Sequence, residues 1–509
     1  MSFIYFKNIK NSIFPERTAF FAAAKIQDLT EEEVRSAPYS RTQDPEKDNY
    51  YKNEEVSGPA DTSSFRKANC FDKITVLAGS SVTFIITLLL VALWAAFGIL
   101  LGPTDTWQIV FQNASSIQVY VIDILLIRQQ QNASRVLMTL LAEFNSRRTT
   151  LERLLDDIPG CDEISTHEEK PRALIINGKP FDEKTDESIF IPKVETSAMS
   201  SIWGQSCQVI ARALGSMLTF LLYWIGIGVW AALGPSLKFS DTWQLYINSA
   251  TAIALTFTSV FLQNSQQREE ERLTRCLQHT LKIDAGIEHQ LRVLTGDRRP
   301  NPIFTIPDIK RTHTERFNDV TADIMGSGVG VVLSLVFVVI WVSVGPLMKF
   351  NDNWWLIIGS FTGLVGFVNG FVLRSLYYRE EEMVKDQFQK LAESDRNLLA
   401  RLNVPISIPT EPPKSLMERF SLAISDACGH RFTPPGSMMV VIGLLLVATA
   451  MSWSVTGQLL CNTPTMIIEG FLLIILIHAH NHANYERDVD FSGLLKRRLL
   501  LHGFVETIE

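Results

Sequence analysis

Residues 224–269 read WIGIGVWAALGPSLKFSDTWQLYINSATAIALTFTSVFLQNSQQRE. With the residues just upstream, this stretch holds an apolar run from about Ala213 to Leu233, a Gly-Pro stop, a few polar residues carrying Asp241, and a second run from Trp243 to Leu262. At 1.5 Å of rise per residue, a run of about 20 residues crosses a bilayer core. Two such helices joined by so short a turn form a hairpin, and Gln263, Asn264, Gln266, Gln267 and Arg268 mark the polar exit of the second.

The unit recurs at residues 76–132 and 323–379, and in eroded form at about 434–487. Four hairpins make eight spans, so the expected fold is all-α and polytopic: four parallel two-helix repeats with amphipathic cytoplasmic helices. Parallel repeats related by rotation about the membrane normal place their second spans around a common axis, as a pseudo-fourfold ring or a pair of pseudo-twofold halves. The expected organisation is a tail at 1–73, hairpins at 74–132, 207–264, 323–375 and 433–485, helical links at 133–206, 265–322 and 376–432, and a C-terminal tail at 486–509. Residues 133–157, 268–295 and 379–403 repeat apolar residues three and four apart. These links are expected to continue the second spans and pack beneath the membrane.

Arg66, Lys67, Lys73, Arg128, Arg135, Arg212, Arg268, Arg272, Arg374, Arg379 and Arg487 flank the spans on one side, against only Lys238 and Lys349 in the opposite turns. The positive-inside rule therefore puts both termini and all three links in the cytoplasm. Residues 25–66 read as a polar tail, with a short helix capped near Asp28, and no cleavable signal peptide is visible. The net charge of −7 provides no basic stripe for nucleic acid. The six cysteines include no CxxC pair, which argues against a disulfide framework or a structural zinc site. No nucleotide-binding loop is present, and Gly326-Ser327-Gly328 reads as close helix packing, not as a nucleophile elbow.

Aligning the units on Asp105, Asp241, Asp352 and Asn462 brings Gln112, Asn248, Gly359 and Glu469 into one column. Eleven residues further, Asp123, Ser259, Gly370 and His480 form another. The expected result is an outer level of Gln112, Asn248 and Glu469, with Asp123 and His480 roughly 16 Å deeper. A carboxylate inside a span marks a pathway unless protein, water or a partner satisfies it, so Asp123 and Glu469 are the leading candidates. Among the clustered histidines, His478 and His482 can share a helix face while His480 points elsewhere. Imidazole with carboxylate or amide oxygen suits divalent first-row metals. Asp105, Asp241 and Asp352 read either as helix-start acids or as a ring attracting cations outside; the tryptophans beside them read as interfacial anchors and the Gly-Pro pairs as helix stops.

The segment with Gly234, Pro235, Asp241, Thr242, Trp243, Gln244, Asn248, Gln263, Asn264 and Gln267 resembles the signature of the low-affinity iron permease family. Asp105, Thr106, Trp107 and Gln108 repeat it in the first unit, and Asp352 with Trp354 in the third. The likeness covers roughly residues 70–490 and is weakest in the fourth unit. It implies low-affinity uptake of Fe2+, and less selectively of zinc, copper or manganese, across the plasma membrane. The metal is then a transported substrate and not a tightly bound cofactor, the bilayer is the other partner, and the protein is not an enzyme. A homo-oligomer is compatible with this reading. Gly359 and Arg374 in the third unit, and Glu469 with the histidines in the fourth, depart from the signature. The alternatives are a membrane scaffold or sensor that binds partners through its cytoplasmic helices, and a less selective cation channel. An anion channel would need basic residues facing the axis.

Overall fold

The computed structural model describes residues 20–27, 29–30, 33, 36–39, 70–102, 104–158, 175–176, 179–180, 198–307, 311–404 and 416–508. Four times along the chain a short helix, an apolar helix and a very long helix follow one another. The short helices are α1 (Cys70–Ala78), α4 (Ala198–Leu214), α7 (His313–Gly326) and α10 (Leu416–Gly429). The apolar helices are α2 (Ser81–Leu101), α5 (Met217–Leu233), α8 (Gly328–Val344) and α11 (Thr433–Ala450). The long helices are α3 (Asp105–Asp156), α6 (Asp241–Thr295), α9 (Asp352–Arg401) and α12 (Val455–Glu506). Two small antiparallel pairs complete the described residues: β1 (Phe20–Ala22) with β4 (Phe304–Ile306), and β2 (Ile175–Ile176) with β3 (Lys179–Pro180).

Among the described residues six helices are long and apolar enough to cross a membrane, or eight if each of two bent pairs counts as one span. Those pairs are α4 with α5, bent by 53°, and α7 with α8, bent by 59°. The run expected to be continuous from Ala213 to Leu233 therefore breaks, because Ser216 caps α5 by accepting the N–H of Thr219. Ser80 and Ser327 cap α2 and α8 in the same way, accepting from Thr83 and Val329. Capping supplies a partner for N–H groups that a fresh helix start leaves unpaired.

Each long helix packs against two others, in the closed order α3, α6, α12, α9. The first and fourth units thus lie diagonally across the ring, as do the second and third. Each apolar helix leans on the long helix of the next unit around the ring: α2 on α6, α5 on α12, α11 on α9 and α8 on α3. A glycine makes each of these joints close. A Cβ at Gly79 would stand 2.0 Å from Gln267, at Gly215 2.6 Å from Asn481, at Gly326 3.1 Å from Gln131, and at Gly429 2.9 Å from Tyr378.

The long helices start at Thr104, Ser240, Asn351 and Ser454, whose side chains accept the N–H of the residue three positions on. Asp241 accordingly sits in the first turn, where its charge favours the helix dipole. Trp230 and Trp243 stack with ring centroids 4.0 Å apart, and each indole N–H donates to the other's carbonyl at 3.0 and 2.9 Å. Trp341 and Trp354 repeat the clasp at 2.8 and 2.7 Å. These tryptophans bind one helix of a hairpin to the other. The turns between the clasped helices need left-handed pairs, Lys238-Phe239 and Lys349-Phe350, several residues beyond the Gly-Pro positions.

Beyond the apolar spans the long helices continue unbroken as a four-helix stalk. Leu141, Leu277, Phe388 and Phe491 share one buried cluster, and Leu151, Ile287, Leu398 and Leu501 another. This packing is what the three- and four-residue apolar spacing demands. Part of the N-terminal segment docks on the stalk: Ala24 N–H donates to Ser146, whose hydroxyl donates to the Pro302 carbonyl at 2.6 Å. Asp28 and residues 40–69 lie outside the described residues.

Candidate functional site

Counting from the four caps gives the register of the ring. Five residues in, Ile109, Leu245, Leu356 and Leu459 form a buried cluster with one member from each long helix. This apolar collar closes the axis near the hairpin turns. Eight residues in stand Gln112, Asn248, Gly359 and Asn462. Here the fourth unit departs from the alignment drawn on sequence. Asn462 belongs with Gln112 and Asn248, and Ser454, not the residue before Asn462, starts the helix. Glu469 therefore lies about two turns deeper than expected, leaving it roughly 6 Å in helical rise from the level of Asp123.

Because α3 and α12 are diagonal, that register sets Asp123 and Glu469 face to face across the axis. Their carboxyl groups interact directly, and they are only 1% and 5% exposed. Asp123 Oδ2 has no hydrogen-bond donor among the described residues. The glycines of α9 make the space: a Cβ at Gly366 would stand 2.4 Å from Glu469 Oε1. On the other side of Glu469, the Tyr223 hydroxyl of α5 donates to the Ile467 carbonyl at 2.6 Å. Two carboxylates in contact repel unless a proton or a cation stands between them, and burial strengthens that repulsion.

His480 does not join Asp123. It lies two turns nearer the stalk, with Nδ1 3.4 Å from the Tyr377 hydroxyl and Nε2 2.9 Å from the Asn484 amide nitrogen. The other two histidines, four residues apart on a shared face, engage different partners. His478 Nδ1 lies 2.7 Å from the Gly215 carbonyl at the α4–α5 break, and His482 Nε2 lies 3.3 Å from Glu486. Among the described residues no three of His, Cys, Asp and Glu are grouped to hold a metal ion. Asp241 accepts from the Thr456 hydroxyl at 3.0 Å, joining α6 to α12 at the turn end. The side chains of Asp105 and Asp352 lie outside what the structure describes.

Three buried amides share the level below the collar: Asn113, Asn248 and Asn462 are 1%, 0% and 2% exposed. Neither the oxygen nor the nitrogen of any of them has a hydrogen-bond partner among the described residues. Gln112 Nε2 reaches across the axis to Met466 Sδ at 3.9 Å, leaving Oε1 unpartnered. From sequence, Asn113 reads with Gln112 and Asn248 as either pore lining or an interhelical hydrogen-bonding group, whereas Asn462 enters only as the anchor of the alignment. The cap at Ser454 is the signal that places Asn462 at this level.

A family model described as low affinity iron permease matches residues 68–156, 204–293, 314–409 and 417–503. The low-affinity iron/zinc ion transport protein fet4 of Schizosaccharomyces pombe is 40% identical over 435 residues, covering 85% of this chain and 72% of the relative. The low-affinity Fe(2+) transport protein of Saccharomyces cerevisiae is 33% identical over 471 residues, covering 86% and 82%. No solved structure matches.

Proposed function

Given that the chain belongs to the low affinity iron permease family, we propose that it carries divalent transition-metal cations, Fe2+ foremost, inward across the plasma membrane. The family is one of transporters, not enzymes. The observation that carries the reading is the Asp123–Glu469 pair: two buried carboxyl groups from diagonal helices meet on the axis of the ring. A dication there neutralises both acids, and oxygen ligands suit Fe2+, Mn2+ and Zn2+ alike.

The four units are parallel repeats, with the hairpin turns outside and the stalk and both termini in the cytoplasm, in keeping with the basic residues at the stalk-side span ends. A divalent ion moving to a negative interior gains about 4.6 kcal/mol per 100 mV, so no nucleotide is needed. The collar of Ile109, Leu245, Leu356 and Leu459 acts as the outer closure, since a narrow apolar ring expels water and with it a hydrated ion. His480, beside Tyr377 and Asn484, receives the ion on the inner side of the acid pair. His478 and His482, each already engaged elsewhere, border the path. Asp241 with its counterparts Asp105 and Asp352 raises the cation concentration at the outer mouth.

The test is Fe2+ and Mn2+ influx into proteoliposomes with an inside-negative potential. Asp123→Asn and Glu469→Gln preserve shape and remove charge, and each is expected to lower influx at least ~10-fold, about 1.4 kcal/mol of lost ion stabilisation. Wild-type influx in both variants would remove the acid pair from the mechanism. Influx no higher than in empty vesicles for the wild type would favour a scaffold.

A further inference from the structure

The geometry points to a second cation site on the axis, built from the side-chain oxygens of Asn113, Asn248 and Asn462 against the glycine face of α9. It takes a divalent cation that still keeps part of its water shell. This inference rests on the reading of the axis as the ion path and adds a step ahead of the acid pair.

Three observations converge. The first is the six orphaned polar atoms: three amides that are fully buried, on three different helices, with no partner for any oxygen or nitrogen. Leaving a buried amide unpaired costs about 1–3 kcal/mol each, so a ring that gathers three of them needs a ligand to offset the penalty. The second is their aim. A Cβ at Gly359 would stand 2.5 Å from Asn113 Oδ1 and 3.8 Å from Asn462 Nδ2, and one at Gly363 would stand 2.4 Å from Asn462 Oδ1. The amide oxygens of diagonal helices thus rest against backbone where any other residue would fill the space. The third is position: the amides lie between the apolar collar and the acids, at the level eight or nine residues from the helix starts.

The donor set decides the ligand. Amide oxygens are neutral and hard, so they suit a divalent ion with an oxygen shell and offer nothing special to a soft monovalent one. Three or four of them cannot replace the roughly six oxygens such an ion holds in water. Part of the hydration shell therefore stays, and the amide nitrogens donate to those waters. Neutral ligands also bind less tightly than the acids below, which draws the ion onward.

The experiment uses the full chain in proteoliposomes, with Mn2+ and Zn2+ influx measured separately and in competition. Asn113→Asp and Asn462→Asp are nearly isosteric, and are expected to lower the apparent KM several-fold and to change the Mn2+/Zn2+ ratio. Gly359→Ala is expected to cut influx about 10-fold, while Gly443→Ala, where a Cβ meets nothing within 4 Å, leaves it unchanged. Wild-type KM and metal ratio in both aspartate variants would overturn the site, even if Gly359→Ala is poorly folded. If Asp123→Asn is inactive while the aspartate variants match the wild type, the amide site falls and the acid pair stands. If the aspartate variants shift while Asp123→Asn and Glu469→Gln transport normally, the acid pair falls and the amide site stands.

Discussion

The same four helices bury polar groups in two places and treat them in opposite ways. In the stalk, the residues forty-four positions from the caps are Arg148, Asp284, Asp395 and Arg498, at 4%, 0%, 2% and 1% exposure. Taken in ring order they alternate in sign. Arg498 pairs with Asp284 at 3.3 Å and with Asp395 at 3.1 Å, while Arg148 lies 3.5 Å from Asp395. One layer further on, Glu288 accepts from Arg147 and Arg292 at 2.8 Å each, and Arg292 also donates to Asn301. Among the apolar spans, by contrast, Asn113, Asn248 and Asn462 pair with nothing and two acids face each other. In the stalk every one of these charges has an opposite charge beside it, even where, as at both oxygens of Asp284, no hydrogen bond is made among the described residues. The amides and the acid pair have no opposite charge within the chain, and the proposed ion path rests on that difference.

The difference can be broken by substitution. Asp395→Ala should have the largest effect on folding, because it takes a carboxylate partner from Arg148, Arg497 and Arg498 at once. Removing one partner of a buried pair costs about 3–5 kcal/mol, seen as a large fall in thermal midpoint in detergent, or no folded protein. A midpoint equal to the wild type would show the stalk ring to be idle.

A smaller effect is tied to pH. Burial raises the Asp284 carboxyl to about 6, against the opposing pull of Arg498 and Arg147. Its folded value exceeds the unfolded one of 3.8, so the folded state holds the proton more tightly. Stability from this group is full below about pH 4 and is lost as pH rises through about 6, an effect on the order of 3 kcal/mol. Asp284→Asn should flatten that part of the midpoint-versus-pH curve; an unchanged slope would assign the dependence elsewhere.

The smallest effect on stability belongs to the other region. Asn248→Ala removes an amide that has no partner to strand, so the thermal midpoint should move by less than the equivalent of about 1 kcal/mol. A loss as large as that of Asp395→Ala would mean that Asn248 holds the fold and not a passing ion.

Much of this architecture was legible in the residues. The hairpins, the polar exits and the amphipathic continuations follow from local quantities, namely run length, hydropathy and three- and four-residue spacing. Asp123 and Glu469 stood out because a carboxylate in an apolar run is rare for an energetic reason. The pairing was not legible. Aligning the fourth unit on Asn462 displaced it by seven residues, since its start lacks the Asp-x-Trp signature and depends on the Ser454 cap. Two turns of error moved Glu469 away from Asp123 and put His480 in its place.

Sequence by itself determined that the second spans of the first three units run on as helices, where they begin to be polar, and that acids and amides lie within them, since each of these depends only on neighbours along the chain; the continuation of α12 to Glu506, through residues read as a tail from 486, came from the structure. The ring order α3, α6, α12, α9, which makes the first and fourth units diagonal, was decided by tertiary structure alone. Which faces meet depends on how glycines at the joints let one helix approach another. No spacing along the chain encodes which of three possible partners stands across the axis.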